Sequence, residues 1–161
     1  MNEPAEPRPA SLSVTTMTEH VLPSHANALG TVFGGTIMSW IDVCGAICAQ
    51  RHARKLVVTA FVDDLVFEGP VRIGEVVKLT ARVTATFRTS MELEVDVEGE
   101  NPLEERSWPC VRAMLTFVAV DETTRKPVPI PPLLLETDEE RRKQRDAEER
   151  KAHRLARALK A

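Results

Sequence analysis

The chain has 161 residues, of which 43% are hydrophobic and 28% charged, enough for one domain with a substantial core and a solvated surface. Its net charge of −3 argues against a dedicated nucleic-acid binder, and no apolar run reaches the roughly 18 residues that a membrane span needs. The N-terminus lacks the basic region and apolar stretch of a secretory signal, and three cysteines do not indicate a disulfide framework. We therefore expect a cytoplasmic protein.

The first half of the chain predicts a tail, a strand and one long helix. The proline-rich residues 1–11 are predicted to be disordered, and a first short strand is expected over 12–21. A polar loop over 22–33 leads to the Gly34-Gly35 pair. Residues 36–54 are then apolar on nearly all sides, which predicts a buried helix opened by the two glycines.

A run of strands follows the helix. Residues 56–67 are almost continuously apolar, which favours a central strand, and a slip in their alternation at Asp63-Asp64 predicts a β-bulge. Residues 77–88 and 91–98 alternate cleanly and predict a hairpin that turns at 89–91. This register sets Arg88 opposite Glu92 and Arg82 opposite Glu98. Residues 108–120 form a further strand.

The C-terminal part differs in character. Residues 126–132 are too rich in proline for a helix and are expected to run extended along the surface. Thr137 and Glu140 predict a capping box that opens a charged helix ending near Lys160. Because few apolar residues interrupt its charges, we expect this helix over 136–161 to be solvated and partly frayed. Docking on a partner subunit is the alternative.

One helix and about five antiparallel strands predict an α+β fold in which the sheet wraps around the helix. The edges of such a sheet carry unpaired backbone groups, which invite pairing with another chain. Edge-to-edge pairing with a second copy gives one continuous sheet. A homodimer is therefore the physical expectation.

The segment from His25 to Asp42 has the features of an acyl-transfer or hydrolysis site. Burial of a lone carboxylate such as Asp42 costs several kcal/mol, which needs a reason, and buried acids cluster at functional sites. The backbone N–H of Gly35 lies near the helix start, where the positive end of the helix stabilises an oxyanion. Gly34 and Gly35 also let a substrate carbonyl approach the backbone. Asn27 is either a catalytic amide or an ordinary turn former.

Other polar groups are weaker candidates for catalysis or metal binding. Asp63 and Asp64 are rival acids, but their place at the parity slip indicates bulge geometry. Cys44, Cys48 and His52 recur every four residues, yet the ends of that row lie about 12 Å apart along a helix, at about 1.5 Å per residue, too far for one zinc ion. No metal site is therefore predicted, and the cysteines are expected in the core.

Residues 27–42, N-A-L-G-T-V-F-G-G-T-I-M-S-W-I-D, resemble the signature of acyl-CoA thioesterases of the hotdog fold, in particular the cytosolic acyl-CoA hydrolase group. The likeness continues through T-A-F-V-D-D-L-V-F at 59–67, A-R-V-T-A-T-F-R-T-S-M-E at 81–92, L-T-F-V-A-V-D at 115–121 and P-V-P-I-P-P at 127–132. It covers residues 12–135, which we take as the domain. Many members carry a small acid or another polar residue where this chain has His25.

The resemblance implies hydrolysis of acyl-CoA to CoA and a carboxylic acid, with CoA as the only ligand and no cofactor. Asp42 then acts as base or as nucleophile, and Asn27 reaches it from the neighbouring subunit of a dimer. Dimers are expected to assemble as a trimer of dimers, a hexamer. The resemblance assigns CoA contacts to Gly34, Thr59, Ala60, Phe61, Arg88, Thr89, Ser90 and Met91.

Two alternatives keep the fold but change the function. A hotdog hydratase or dehydratase needs a histidine beside the acid, and neither His25 nor His52 stands in such a motif. A non-catalytic acyl-CoA sensor needs the CoA contacts but not Asp42.

Overall fold

The computed structural model describes residues 5–160. Its strands are β1 (Arg8–Pro9), β2 (Thr15–His20), β3 (Leu56–Phe67), β4 (Val76–Thr86), β5 (Ser90–Asn101), β6 (Arg106–Val120) and β7 (Leu133–Leu134); its helices are α1 (Gly34–Ala53) and α2 (Asp138–Ala158). Five strands form one antiparallel sheet in the order β2-β4-β5-β6-β3. The predicted α+β arrangement, with the long helix between the first two strands of the sheet, is confirmed.

Helix α1 packs on the inner face of this sheet. The thiols of Cys44 and Cys48 approach the carbonyl oxygens of Thr15 and Ala81 at 3.6 and 3.5 Å. At Gly45 an added Cβ would lie only 3.0 Å from the ring of Phe117, so the glycine allows close contact between α1 and β6. The cysteines are buried and unpaired, as predicted for core residues.

The opposite face of α1 is exposed, contrary to the prediction of a helix buried on nearly all sides. Met38 and Val43 expose 45% and 46% of their surface, and Asp42 on the same side is exposed as well. The reason is geometric, because one chain supplies a single sheet and a helix lying on that sheet has nothing to cover its other side.

Strand β3 lies at an edge of the sheet, so the prediction of a central strand is wrong for the single chain. Its apolar side chains are largely uncovered: Val58 is 50% and Val66 60% exposed. The predicted bulge is confirmed by a shift in pairing between Asp63 and Val66 and by a positive φ of 50° at Asp64. A second shift lies between Thr59 and Phe61.

The hairpin of β4 and β5 has a different register from the one predicted. Arg82 lies opposite Glu94, and Lys78 lies opposite Glu98. The turn is Arg88-Thr89, closed by the Phe87 N–H bonded to the Ser90 carbonyl at 2.8 Å. This turn comes earlier than expected, and one further residue is taken up by a bulge between Val83 and Ala85.

Helix α2 is not a solvated tail, which corrects the prediction. The predicted capping box of Thr137 and Glu140 is present and opens the helix. The helix then packs on the outer face of the sheet, where the guanidinium of Arg150 bonds the fully buried carboxylate of Glu92 at 2.6 Å. Charge alternation indicated solvent exposure, but here the acids on the sheet are the partners of the basic residues on the helix.

The N-terminal segment is partly ordered. Residues 1–4 of the predicted disordered tail lie outside the described range. Arg8–Pro9 pair in parallel with Leu133–Leu134, and Ala10 is buried, because the proline-rich segment near the C-terminus supplies a neighbour for this stretch. No helix in the described range has the length and apolarity to cross a membrane.

Candidate active site

Asp42 and Thr59 form the one side-chain hydrogen bond between predicted site residues on different elements in the described range. The Thr59 hydroxyl on β3 donates a hydrogen bond of 2.5 Å to Oδ1 of Asp42 on α1. Asp42 is exposed here, so the expectation of a buried carboxylate is wrong for the single chain. The hydroxyl fixes one oxygen of the carboxylate and leaves Oδ2 with no hydrogen-bond partner among residues 5–160, so Oδ2 can take a proton from water.

The start of α1 carries uncapped N–H groups. Phe33 provides no side-chain cap, and its carbonyl oxygen accepts from the N–H groups of Thr36 and Ile37. The N–H groups of Gly34 and Gly35 have no acceptor within the described part of the chain. The space beside Gly35 is open, with no heavy atom within 4 Å of an added Cβ. A negatively charged oxygen can therefore approach these N–H groups.

The surroundings of Gly34 are more crowded than those of Gly35. A Cβ there would come within 3.2 Å of the ring of Phe67, so this glycine allows the end of β3 to pack against the start of α1. Gly34 and Phe67 line a cavity of about 360 Å³ together with Thr31, Ile37 and Val71. The cavity opens beside the uncapped helix start.

The loop before α1 holds Asn27 firmly. Its Oδ1 accepts from the N–H groups of Leu29 and Thr31 at 2.9 and 3.2 Å, and from the Thr31 hydroxyl at 3.2 Å. Asn27 is thus a turn former whose oxygen is fully engaged within the turn. Its amide NH₂ has no acceptor among the described residues and can donate to another group. The amide is oriented as a hydrogen-bond donor. No hydrogen bond joins Asn27 to Asp42 within the described chain.

His25 belongs to the same loop. Its Nδ1 accepts the Leu22 N–H at 3.1 Å, and its ring meets Trp40 edge-on with centres 5.1 Å apart. The histidine therefore fastens the loop to α1 and makes no hydrogen bond with Asp42.

The residues expected to contact CoA fall on two sides of the sheet. Thr59 faces α1, whereas Ala60, Phe61 and Ser90 line a small apolar cavity of about 160 Å³ beneath α2. Arg88 and Thr89 form the hairpin turn. Met91 is fully buried in the core.

The rival acids are engaged elsewhere. Asp63 Oδ2 bonds the Arg154 guanidinium of α2 at 2.7 Å, on the outer face of the sheet. Asp64 occupies the left-handed bulge position. No cluster of His, Cys, Asp and Glu suited to a metal ion occurs in residues 5–160.

Burial shifts the pKa of several side chains. Burial lowers the pKa of His52, whose Nε2 contacts the Pro131 carbonyl at 3.0 Å and whose Nδ1 has no partner among the described residues. Burial raises the pKa of the Cys48 and Cys110 thiols to about 11 and so keeps them protonated and unreactive. Burial, followed by the charge of Arg154, lowers the pKa of Lys151 beside the small cavity.

The sequence predicted Thr59 as a CoA contact but did not reveal its bond to Asp42. It also missed the basic residues of α2 near β3. No local pattern joins residues on separate elements, so only the packing of α1 and α2 on the sheet reveals these pairs.

Residues 29–105 match the thioesterase superfamily. An uncharacterized acyl-CoA thioester hydrolase of Bacillus subtilis, YkhA, is 38% identical over 138 residues, which cover 86% of this chain and 80% of the relative. Acyl-coenzyme A thioesterase 11 of Mus musculus is 35% identical over 139 residues, 86% of this chain but 23% of the relative. The chain thus spans about a quarter of the length of the mouse and rat thioesterases that it matches.

Solved structures agree over nearly the whole chain. A hexameric acyl-CoA thioesterase in its apo form superposes with a TM-score of 0.89 at 40% identity, covering 95% of this chain and 97% of that one. The acyl-CoA hydrolase from Staphylococcus aureus, solved with butyryl-CoA, CoA and CoA disulfide, gives 0.84 at 32% identity over 95% and 93%. Three variants of that enzyme, with an Asp, an Asn or a Thr replaced by alanine, are similar as well. The predicted hotdog fold is confirmed.

Proposed function

Because the chain belongs to the thioesterase superfamily, we propose that it hydrolyses acyl-CoA thioesters to free CoA and a carboxylic acid. The observation that carries this proposal is the hydrogen bond from Thr59 to Asp42. It holds an accessible carboxylate on the same helix that begins with the uncapped N–H groups of Gly34 and Gly35. Support also comes from the S. aureus enzyme, whose replaced Asn, Asp and Thr have the same spacing as Asn27, Asp42 and Thr59.

Asp42 supplies the attacking group by one of two routes. As a general base, its free Oδ2 takes a proton from water, and the resulting hydroxide adds to the thioester carbonyl carbon. As a nucleophile, the carboxylate itself attacks and forms an anhydride, which water then cleaves. In both routes the C–S bond breaks and the CoA sulfur leaves as thiolate, which then takes up a proton.

The Gly35 N–H stabilises the oxyanion that forms on the carbonyl oxygen. This N–H is uncapped, it lies at the positive end of a 20-residue helix, and the space beside it is open. The loss of one such donor in other hydrolases costs about 10²–10³ in kcat. The cavity beside Gly34 and Phe67 offers room next to this donor for the substrate.

Asn27 donates from its amide NH₂ to the thioester. Its oxygen is engaged by the loop, so the amide polarises the carbonyl or holds the water through its N–H groups. Because no bond joins it to Asp42 within one chain, we propose that it serves the Asp42 of a second copy.

Two uncovered surfaces support a dimer with shared sites. The outer edge of β3 and the exposed side of α1 adjoin at the Thr59–Asp42 contact and carry exposed apolar side chains such as Val58 and Val43. Pairing of two β3 edges satisfies their backbone groups and covers these side chains. Three such dimers then give a hexamer, the state of the apo thioesterase relative.

CoA is held along β3 and the hairpin turn. Thr59, Ala60 and Phe61 border the acyl and pantetheine arm, while Arg88, Thr89 and Ser90 meet the nucleotide end. Met91 supports the turn from the core, since its side chain is fully buried. No cofactor beyond the CoA of the substrate enters this scheme.

The test is release of free thiol from the purified protein. A thiol-trapping reagent should report turnover with acyl-CoAs from short to long chain, and the rate should depend on chain length. Asp42→Asn is the matched control, since it keeps size and fold. A hydratase would change enoyl-CoA without releasing thiol, and a sensor would bind CoA esters without turnover. Absence of thiol release at every chain length would refute hydrolysis.

A further inference from the structure

A short stretch of β3 lies between two irregularities. Phe61 pairs with Thr116, Val62 with Leu115 and Asp63 with Met114 on β6, and the pairing shifts on both sides of this stretch. Only three residues are therefore in continuous register next to Thr59. With an irregularity on each side, this stretch has few backbone pairs to hold it against β6.

Arg154 of α2 holds this stretch from the outer face. Its Nη1 bonds Asp63 Oδ2 at 2.7 Å, its Nη2 donates to the Thr116 hydroxyl at 3.4 Å, and its guanidinium lies 5.1 Å from the ring centre of Phe61. The Arg154 side chain is 10% exposed, so water competes little for these contacts. One guanidinium thus contacts both ends of the ladder and its partner on β6.

The other side of the same strand carries Thr59. It directly precedes the first irregularity, and its hydroxyl reaches Asp42 across the inner face. Thr59 ends a separate four-residue ladder, in which residues 56–59 pair with residues 117–120, and only Ala60 separates the two ladders. A shift of the three-residue ladder therefore acts on Thr59 through Ala60 and strains its bond to Asp42. The contacts of Arg154 resist such a shift.

We propose that Arg154 is a positioning residue for hydrolysis. It holds β3 from the outer face of the sheet, so that the Thr59 hydroxyl keeps its hydrogen bond to Asp42. This inference rests on the proposed function. Arg154 contacts Phe61, one of the proposed CoA contacts, but neither Asp42 nor the proposed oxyanion donor, so its effect on kcat is exerted through the strand. The C-terminal helix is then part of the catalytic apparatus.

The other ion pairs between α2 and the sheet provide a matched control. Lys143 bonds Glu94 at 2.6 Å, and Arg150 bonds Glu92; both acids lie on β5. Among the ion pairs of residues 5–160, only Arg154 connects α2 to β3. Lys143→Met therefore breaks an equally short helix-to-sheet contact without releasing the strand that carries Thr59.

The experiment measures kcat and KM of Arg154→Met and Lys143→Met with one acyl-CoA, on protein whose folding is checked by thermal melting. We expect kcat of Arg154→Met to fall about 10–100-fold, the scale expected for a misplaced catalytic group, with KM changed less than about threefold. Lys143→Met should keep kcat within about twofold. Equal losses in the two variants would reduce Arg154 to a stabilising role and overturn the proposal.

A double-mutant cycle separates positioning from general damage. In a Thr59→Ala background, Arg154→Met should lower kcat by less than about threefold further, because the bond that it maintains is already absent. Full additivity overturns the proposal. If Arg154→Met does not fold, Asp63→Ala removes the same ion pair, and wild-type kcat in folded Asp63→Ala overturns it as well. Absence of hydrolysis by the wild-type protein refutes the proposed function instead.

Discussion

The Thr59 hydroxyl donates a hydrogen bond of 2.5 Å to Oδ1 of Asp42 and so joins the edge strand β3 to the exposed side of α1. The two residues are 17 positions apart and come from elements that meet only in the folded chain. The bond fixes the carboxylate in one orientation, with its second oxygen free. The attack on the thioester in the proposed hydrolysis depends on this orientation.

Replacement of Thr59 tests that dependence. A hydrogen bond to a charged group is worth about 1.5–3 kcal/mol, so Thr59→Ala should lower kcat about 10–100-fold. Thr59→Ser keeps the hydroxyl and should stay within about threefold of the wild type. Steady-state thiol release measures both. Equal rates for Thr59→Ala and wild type would show that the bond has no part in turnover.

Mixing of two inactive proteins tests the shared site. Asn27→Ala and Asp42→Ala each lack one group, and a reassembled mixed dimer contains one complete site if the groups come from different chains. Up to a quarter of wild-type activity should return after subunit exchange, since about half of randomly formed dimers are mixed and each has one intact site of two. Exchange is checked with differently tagged chains. Proven exchange without recovered activity would assign both groups to one chain.

The buried ion pair of α2 predicts a stability effect. Arg150→Met leaves the fully buried Glu92 carboxylate without its partner, which typically costs about 3–5 kcal/mol. Urea unfolding should show this loss. The double variant Glu92→Met/Arg150→Met removes both charges and should recover most of it. Equal stability of Arg150→Met and wild type would mean that α2 contributes little to the fold.

His52 predicts a dependence of stability on pH. Burial lowers its pKa in the folded state below the ordinary value of 6.5, so the unfolded chain takes up a proton that the folded chain does not. The free energy of unfolding should therefore fall as pH drops below about 6.5, while above that value the titration of His52 adds no pH dependence. His52→Gln lacks this titration. The stability of the wild type relative to His52→Gln, measured by urea unfolding from pH 8 to 5, should decrease toward acid; a relative stability that does not change with pH would contradict this.

Much of the fold followed from the sequence, because periodicity reports local burial. The bounds of β3, the bulge at Asp63-Asp64 and the capping box of Thr137 were all predicted. The register of the hairpin was not, because its turn lies at Arg88-Thr89 rather than at 89–91 and because the bulge between Val83 and Ala85 leaves no mark in the alternation.

The larger errors have two physical sources. The apolar residues of β3 and α1 indicated burial, yet in one chain Val58 and Val43 are half exposed. An apolar pattern indicates that a surface is buried, but not whether the surface that buries it belongs to the same chain or to another copy. The docking of α2 was missed for the opposite reason, since its partners are charged residues such as Glu92 and Asp63, whose burial no apolar pattern reveals.

The central claim is that the carboxylate of Asp42 drives thioester cleavage, and the most direct measurement is kcat for Asp42→Asn under saturating acyl-CoA. The variant keeps a group that can accept from Thr59, so it should fold and assemble as the wild type does. We expect kcat to fall about 10²–10⁴-fold, the usual contribution of a general base. Release of thiol at the wild-type rate by folded Asp42→Asn would contradict the account.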